Sequence, residues 1–354
     1  MVKFGVKTVK EAMEIGLDAS IRVTKKFIHP IKLEFEKVLY PYLLQNKKRY
    51  AGMYYCSNPD TPDKMHQSGL ESQRRDACPL VSELVESTLS DLLVRMDSKL
   101  AARNIQEVVR NLLARNISMF KLVISKTLGK SLEDETCSNS QAHVNLARRL
   151  KARDANSAPV QGDRVAYVIT QGHPSDKAYM KSEDPIYALE NDVPVDTDYY
   201  INNQLMKPLV RIMSAVYGSK EKTKRILFEG EHMLKEKRQN PTTNTHNKTM
   251  MAFVVKQSSC AVCRTALKSS ERGTCKNCKL KKAETVEQRH QKVKDEVASL
   301  QQRKQEYFDK CMACVGDIET AKMCKSVDCQ TTFDRRKVDK DLVKALLLLK
   351  DMSF

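Results

Sequence analysis

The amino-acid sequence predicts an α+β multidomain chain that ends in two small four-cysteine metal modules with a helical hairpin. Three observations predict this. Apolar residues recur at helical spacing over long stretches, and alternation at spacing two is confined to short ones. Eight of the eleven cysteines fall in the last hundred residues, as two sets of four.

Residues 8–27 predict a helix, because Val9, Ala12, Met13, Gly16, Leu17, Ser20, Ile21 and Val23 keep small and apolar side chains on one face. His29-Pro30 should stop it, since a residue before proline is pushed out of the α region. Residues 33–39 alternate apolar with charged, which predicts a half-buried strand carrying Glu34 and Glu36 on one face. Residues 50–56 read as its neighbour, so 1–77 is expected to be α+β. Pro79 suits the first turn of a helix over 80–96. Further helices are predicted over 102–113, 141–153 and 199–217, the last kinked at Pro208, with short strands over 120–124 and 165–170. Residues 78–234 thus read as mostly helical. The polar stretch 235–256, with clustered Thr and Asn, reads as a linker. Modules over 257–283 and 284–354 follow. In the second, Val286, Val293, Val297, Leu300 and Tyr307 form a heptad-like stripe that predicts a helix pairing with a final helix over 339–350.

The 354 residues carry 61 Lys and Arg against 44 Asp and Glu, a net charge of +17. Such an excess favours a polyanionic partner. No basic amphipathic stretch bears exposed aromatics, so nucleic acid is expected rather than lipid, and no membrane partner. The longest apolar run near either end, residues 345–349, is far too short to span a bilayer. The first residues show neither a signal-peptide nor a transit-peptide pattern, so a reducing compartment is expected, where paired cysteines bind metal. The seven histidines form no HExxH or Cys/His pairing, and there is no GxxxxGK[ST] loop for ATP chemistry.

Cys260, Cys263, Cys275 and Cys278 read C-x2-C-x11-C-x2-C, and Cys311, Cys314, Cys324 and Cys329 read C-x2-C-x9-C-x4-C. Two close thiolate pairs about a dozen residues apart give a tetrahedral ion its four ligands. The apparent binding energy of such a site, roughly 10–16 kcal/mol, folds a module that has little core. Spacing favours zinc in both sets but does not separate zinc from iron–sulfur, since both use four thiolates. Cys56, Cys78 and Cys137 stand apart and read as plain thiols.

Five stretches carry a resemblance: LEFEKVLYPYLLQNKKRYAG (33–52), GLESQRRDACPLV (69–81), HVNLARRLKARDANSAPVQGDRVAYVI (143–169), YMKSEDPIYALEN (179–191) and DYYINNQLMKPLVRI (198–212). Followed by two cysteine sets in this order, they resemble the B-family replicative DNA polymerases, in their delta-type branch. The resemblance implies that residues 1–77 are the C-terminal part of a palm, 78–234 a thumb, 257–283 a CysA zinc module, and 284–354 a CysB module holding a 4Fe-4S cluster. It also implies nuclear replication, with primer–template DNA, dNTP, a polymerase B-subunit and a sliding clamp as partners. In the family, MVKFG follows directly on the YGDTDS motif, so the catalytic aspartates are expected upstream of Met1. Two-Mg²⁺ phosphoryl transfer needs such carboxylates, and the isolated chain is expected to be inactive.

The resemblance assigns roles to several residues. Glu36 matches a palm glutamate near the catalytic metals, whereas alone it reads as an exposed strand carboxylate paired with Lys37 or Lys47. Lys47, Lys48, Arg49 and Tyr50 match the KKRY motif, whose cations and aromatic lie against phosphates and minor groove, contacts that position without specifying. Without that match they read as a solvated charge run. Arg74, Arg75 and Asp76 match the family's RRD: Asp76 would fork onto one arginine and leave the other for the DNA backbone. Ser68 stands where the family usually has lysine. Lys126, Arg148, Arg149, Lys151 and Arg153 are candidate duplex contacts, and Lys276, Lys279, Lys281 and Lys282 candidate clamp contacts. Three other readings stay open, a stand-alone zinc-binding adaptor for nucleic acid, a zeta-type translesion polymerase and a degenerate, non-catalytic paralogue; the VKFG and KKRYAG contexts argue against the second.

Overall fold

Two units interleave along the chain in the computed structural model, which describes residues 1–134, 140–156, 158–173, 175–230, 259–267 and 271–352. Residues 1–117 and 197–241 form the first, and 118–196 and 242–354 the second. In the first unit the helices after residue 205 pack with those between 79 and 113.

In the first unit, α1 (Val9–Thr24) starts where the Thr8 hydroxyl accepts the Glu11 N–H at 3.3 Å, an N-cap. It ends before His29-Pro30. The Thr24 hydroxyl accepts the Leu33 N–H at 3.0 Å and donates to the Leu33 carbonyl at 3.2 Å, holding the returning segment against the helix end. The Phe35 ring lies over Gly16, where a Cβ would sit 2.6 Å from it. Those ties keep residues 33–37 out of the sheet, so the strand expected over 33–39 begins only at Val38. Strands β1 (Val38–Asn46), β2 (Arg49–Tyr55) and β3 (Lys64–Ser68) form an antiparallel sheet in sequence order. Asn46 pairs with Arg49, so Lys47 and Lys48 alone make the β1–β2 turn, with Lys48 left-handed at φ 63°.

Pro79 does open α2 (Pro79–Leu93), and Asp97 caps α3 (Ser98–Leu113) by accepting the Lys99 and Leu100 N–H groups at 2.9 Å. The predicted helix over 199–217 comes in three pieces: α6 (Thr197–Tyr199), a π-helical stretch (Tyr200–Leu205) and α7 (Met206–Tyr217). Pro208 has no N–H for the carbonyl four residues back, which belongs to the π stretch, so the irregularity falls one turn before the proline. Helix α8 (Lys220–Phe228) closes the unit over a core that includes Leu89, Ile105, Leu205, Leu209 and Leu227, all fully buried.

The second unit holds β4 (Ile124–Thr127), β5 (Arg164–Ile169) and β6 (Ser182–Glu183), again antiparallel, with α4 (Ala142–Arg153) and α5 (Pro185–Glu190). The strand expected over 120–124 is a 3₁₀ turn (Met119–Leu122) leading into β4. Helix α9 (Lys276–Lys281) follows the first cysteine knuckle, and α10 (Ala283–Val315) joins α11 (Ile318–Met323) and α12 (Gln330–Met352). The α10–α12 hairpin buries Val297, Leu300, Val338, Leu342 and Ala345, with Tyr307 and Leu349 beside them. Helix α12 begins well before residue 339 because its first turns are also buried: Phe333 packs on Val123, Val168 and Ile186 and meets Phe120 at 5.7 Å between ring centres. The expected linker over 235–256 and Cys137 lie outside the described residues. Among those described, no helix is long and apolar enough to cross a membrane.

Candidate metal centre and nucleic-acid interface

The thiols of Cys260, Cys263, Cys275 and Cys278 all lie within 4.8 Å of one another. Local backbone makes the cage. The Cys260 N–H donates to the Thr265 carbonyl at 2.8 Å and the Arg264 N–H to the Cys260 carbonyl at 2.9 Å, folding the first knuckle, with Arg264 left-handed at φ 60°. The second knuckle starts α9: Cys275 is its N-cap, and its N–H points at the Cys260 sulfur, 3.4 Å away. Gly273, at φ 63°, passes so close to the end of α12 that a Cβ would stand 2.6 Å from the Asp351 carbonyl oxygen. Leu267, Val262 and Val286 pack around the buried Cys260 and Cys278.

The Cys263 and Cys275 sulfurs are 3.7 Å apart. Four thiolates at about 2.3 Å from one zinc ion would stand about 3.8 Å apart, so the donor set and its spacing fit zinc. Hydrogen bonds from the Thr265 hydroxyl and N–H lower the Cys263 thiol to about 6, while burial pushes Cys278 up to about 12. An empty cage would thus hold a ready thiolate at Cys263 and a proton at Cys278, which an incoming metal must displace.

The second set is arranged differently. Cys311, buried, and Cys314, exposed, share the last turn of α10; Cys324 ends α11, and Cys329 precedes α12. Cys311 feels the other three thiols electrostatically, yet among the described residues only the first set is gathered to single-ion distances. Burial is the main cause that raises the Cys311 thiol, and the nearby Arg335 guanidinium opposes it.

Among the candidate DNA contacts, Lys47 and Lys48 are exposed at the tip of the β1–β2 turn. Gly69, at φ 63°, lies against the Lys48 carbonyl, closer than any Cβ would permit. Tyr50 sits between Tyr42 and His66, at 5.8 and 5.7 Å between ring centres. Arg49 is half-buried and pairs with Glu71, which also takes Arg211 at 2.7 Å. Asp76 forks onto Arg74 at 2.9 and 2.7 Å, as expected of the pair, but Arg75 has an interaction of its own and is not left over. Lys126 is exposed on β4. Arg148 donates to the Leu132 carbonyl at 3.3 Å. Arg149 and Arg153 both pair with the buried Glu183, at 3.2 and 3.1 Å, and Lys151 with Glu133 at 2.9 Å. Those arginines hold the sheet to α4.

Glu36 lies just before β1 and pairs with Lys37 at 2.7 Å, which holds its carboxyl below the usual range. Sequence reasoning missed Glu71, Arg211 and Arg335. Glu71 and Arg211 are 140 residues apart, so no local pattern signals the pair.

A family model for DNA polymerase family B matches residues 1–216, and the chain belongs to that family. Within it, the similarity runs to DNA polymerase delta catalytic subunits. That of Schizosaccharomyces pombe is 41% identical over 350 residues, covering 99% of this chain and 31% of the relative. That of Bos taurus is 40% identical over 350 residues, with the same coverage. The Arabidopsis thaliana subunit is 40% identical over 355 residues, 100% of this chain and 31% of the relative. The chain therefore spans about a third of the length of these relatives.

Proposed function

We propose that this chain is the DNA-gripping and assembly region of a delta-type replicative DNA polymerase acting in the nucleus. The observation that carries the reading is similarity to delta catalytic subunits along nearly the whole chain, cysteine tail included, together with four thiols at single-ion spacing inside that tail. On this reading residues 1–77 are palm edge and 78–234 thumb. Lys47, Lys48 and Tyr50 meet the primer–template duplex, with Lys126 adding a contact. Arg49 and Arg74 brace that surface through Glu71 and Asp76. Zinc is held by Cys260, Cys263, Cys275 and Cys278 in the CysA module, whose exposed Lys276, Lys279, Lys281 and Lys282 face the sliding clamp.

The CysB module, with Cys311, Cys314, Cys324 and Cys329, holds a 4Fe-4S cluster and docks the B-subunit. What supports the cluster is the likeness to delta catalytic subunits along the cysteine tail, since four thiolates by themselves suit zinc as well as iron–sulfur. The complete enzyme adds dNTP through two Mg²⁺ ions. Glu36 stands near that centre as an auxiliary carboxylate.

The test separates grip from assembly. Replacing Cys311 and Cys314 by serine in the full chain should abolish B-subunit binding and leave duplex binding within about twofold of wild type, a change of roughly 0.4 kcal/mol. Loss of both activities together would refute the division of labour.

A further inference from the structure

We propose that Arg335 is the built-in counter-charge of the second cysteine set, placed to balance an anionic metal–thiolate group. The inference rests on the reading above that this set holds a metal group, but not on which metal. Arg335 lies on α12 and is only 5% exposed. Its guanidinium donates to three backbone carbonyls: Ala321, in a short hydrogen bond, and Lys322 and Cys324, each at 3.4 Å. Those acceptors are all neutral. Among the described residues no carboxylate pairs with it, whereas its neighbour Arg336 pairs with Glu190.

A guanidinium does not shed its proton when buried, as a lysine can. A buried, unpaired cation is costly, and proteins keep one only where a compensating charge stands close. The groups electrostatically coupled here are the thiols: Cys311 feels Arg335 along with Cys329, Cys324 and Cys314. Four thiolates on one zinc ion carry a net double negative charge, and four on an oxidised 4Fe-4S cluster carry the same. Either group supplies the anion the guanidinium lacks. The same three hydrogen bonds close the end of α11 and so fix the Cys324 backbone, which Arg336 also holds at 3.1 Å. Arg335 is thus a positioning residue that also sets the local charge.

The test compares the full chain with Arg335→Lys, which keeps the charge, and Arg335→Gln, which keeps donors but loses the charge. Each is purified anaerobically, and iron, sulfide and zinc are counted per chain while a chelator strips them; metal in the first set serves as the folding reference. Arg335→Gln should lose the second group about 10–100-fold faster, the range for partners of metal ligands, with the first set unchanged and Arg335→Lys in between. If the group is iron–sulfur, its midpoint potential should fall in Arg335→Gln and stay near wild type in Arg335→Lys, since removing a cation disfavours the more negative reduced state. Retention in Arg335→Gln equal to wild type, or equal loss in both variants, would overturn the charge role. A wild-type chain with metal in the first set alone would overturn the reading of the second set, and this inference with it.

Discussion

Glu71 takes two arginines on one carboxylate, and one of its oxygens, like the Arg49 Nε, is buried without a further partner. Removing it strands both guanidinium groups. Glu71→Ala is expected to destabilise the chain by about 1.5–3 kcal/mol, the range for charged hydrogen bonds, seen as a lower urea midpoint. An unchanged midpoint would mean the triad is ornamental. At the first cysteine set the thiols should differ in reactivity once metal is stripped. With its pKa at about 6, Cys263 is a thiolate at pH 7, and its alkylation should rise through about pH 6 and then level off. Cys278, pushed up to about 12, should stay protected at neutral pH. Equal labelling by mass spectrometry would contradict the assignment. At this scale the first four cysteines were legible as a group, because thiolate pairing is a local pattern, and the structure gathers their thiols. The carboxylates that pair with Arg49 and Arg149, Glu71 and Glu183, were not legible, because they come from other elements.

The helices were legible where one face is apolar over several turns, as in α2, α3 and α4, and their starts were legible where a cap or Pro79 marks them. Strands were harder. Leu122, Val123 and Ile124 are all buried in succession, so alternation could not locate β4, and β3 (KMHQS) has no apolar alternation to find. Helix α12 was placed too late because its first two turns, QTTFDRR, look polar, although Thr332, Phe333 and Arg335 are buried. The hairpin predicted from the heptad stripe is present, and its core is testable: Leu342→Ala should cost about 2–5 kcal/mol by urea unfolding. Gly273 joins the first cysteine module to the end of α12. Gly273→Ala combines a strained φ with a clash against the Asp351 carbonyl, so it should loosen the module while the thiol cage still binds metal. Faster hydrogen exchange near residue 351 with unchanged metal content is the expected signature; metal loss without that exchange would contradict the docking.

Across the whole molecule the family was readable from short motifs, and the interleaving of the two units along the chain was not. The chain returns to its first unit after residue 196, and a sequence scanned in order cannot see that return. The +17 charge favours a polyanionic partner but does not say where one would bind; the proposed contact is the hairpin tip, where Lys47 and Lys48 stand exposed on a two-residue turn. The decisive measurement is the affinity of the full, metal-loaded chain for primer–template duplex across a salt series, by fluorescence anisotropy, against Lys47→Ala/Lys48→Ala. Affinity should fall steeply and linearly with log salt, and the double variant should bind more weakly at every sequence, with a slope shallower by about two. A flat salt response, or a variant indistinguishable from wild type, would contradict the account.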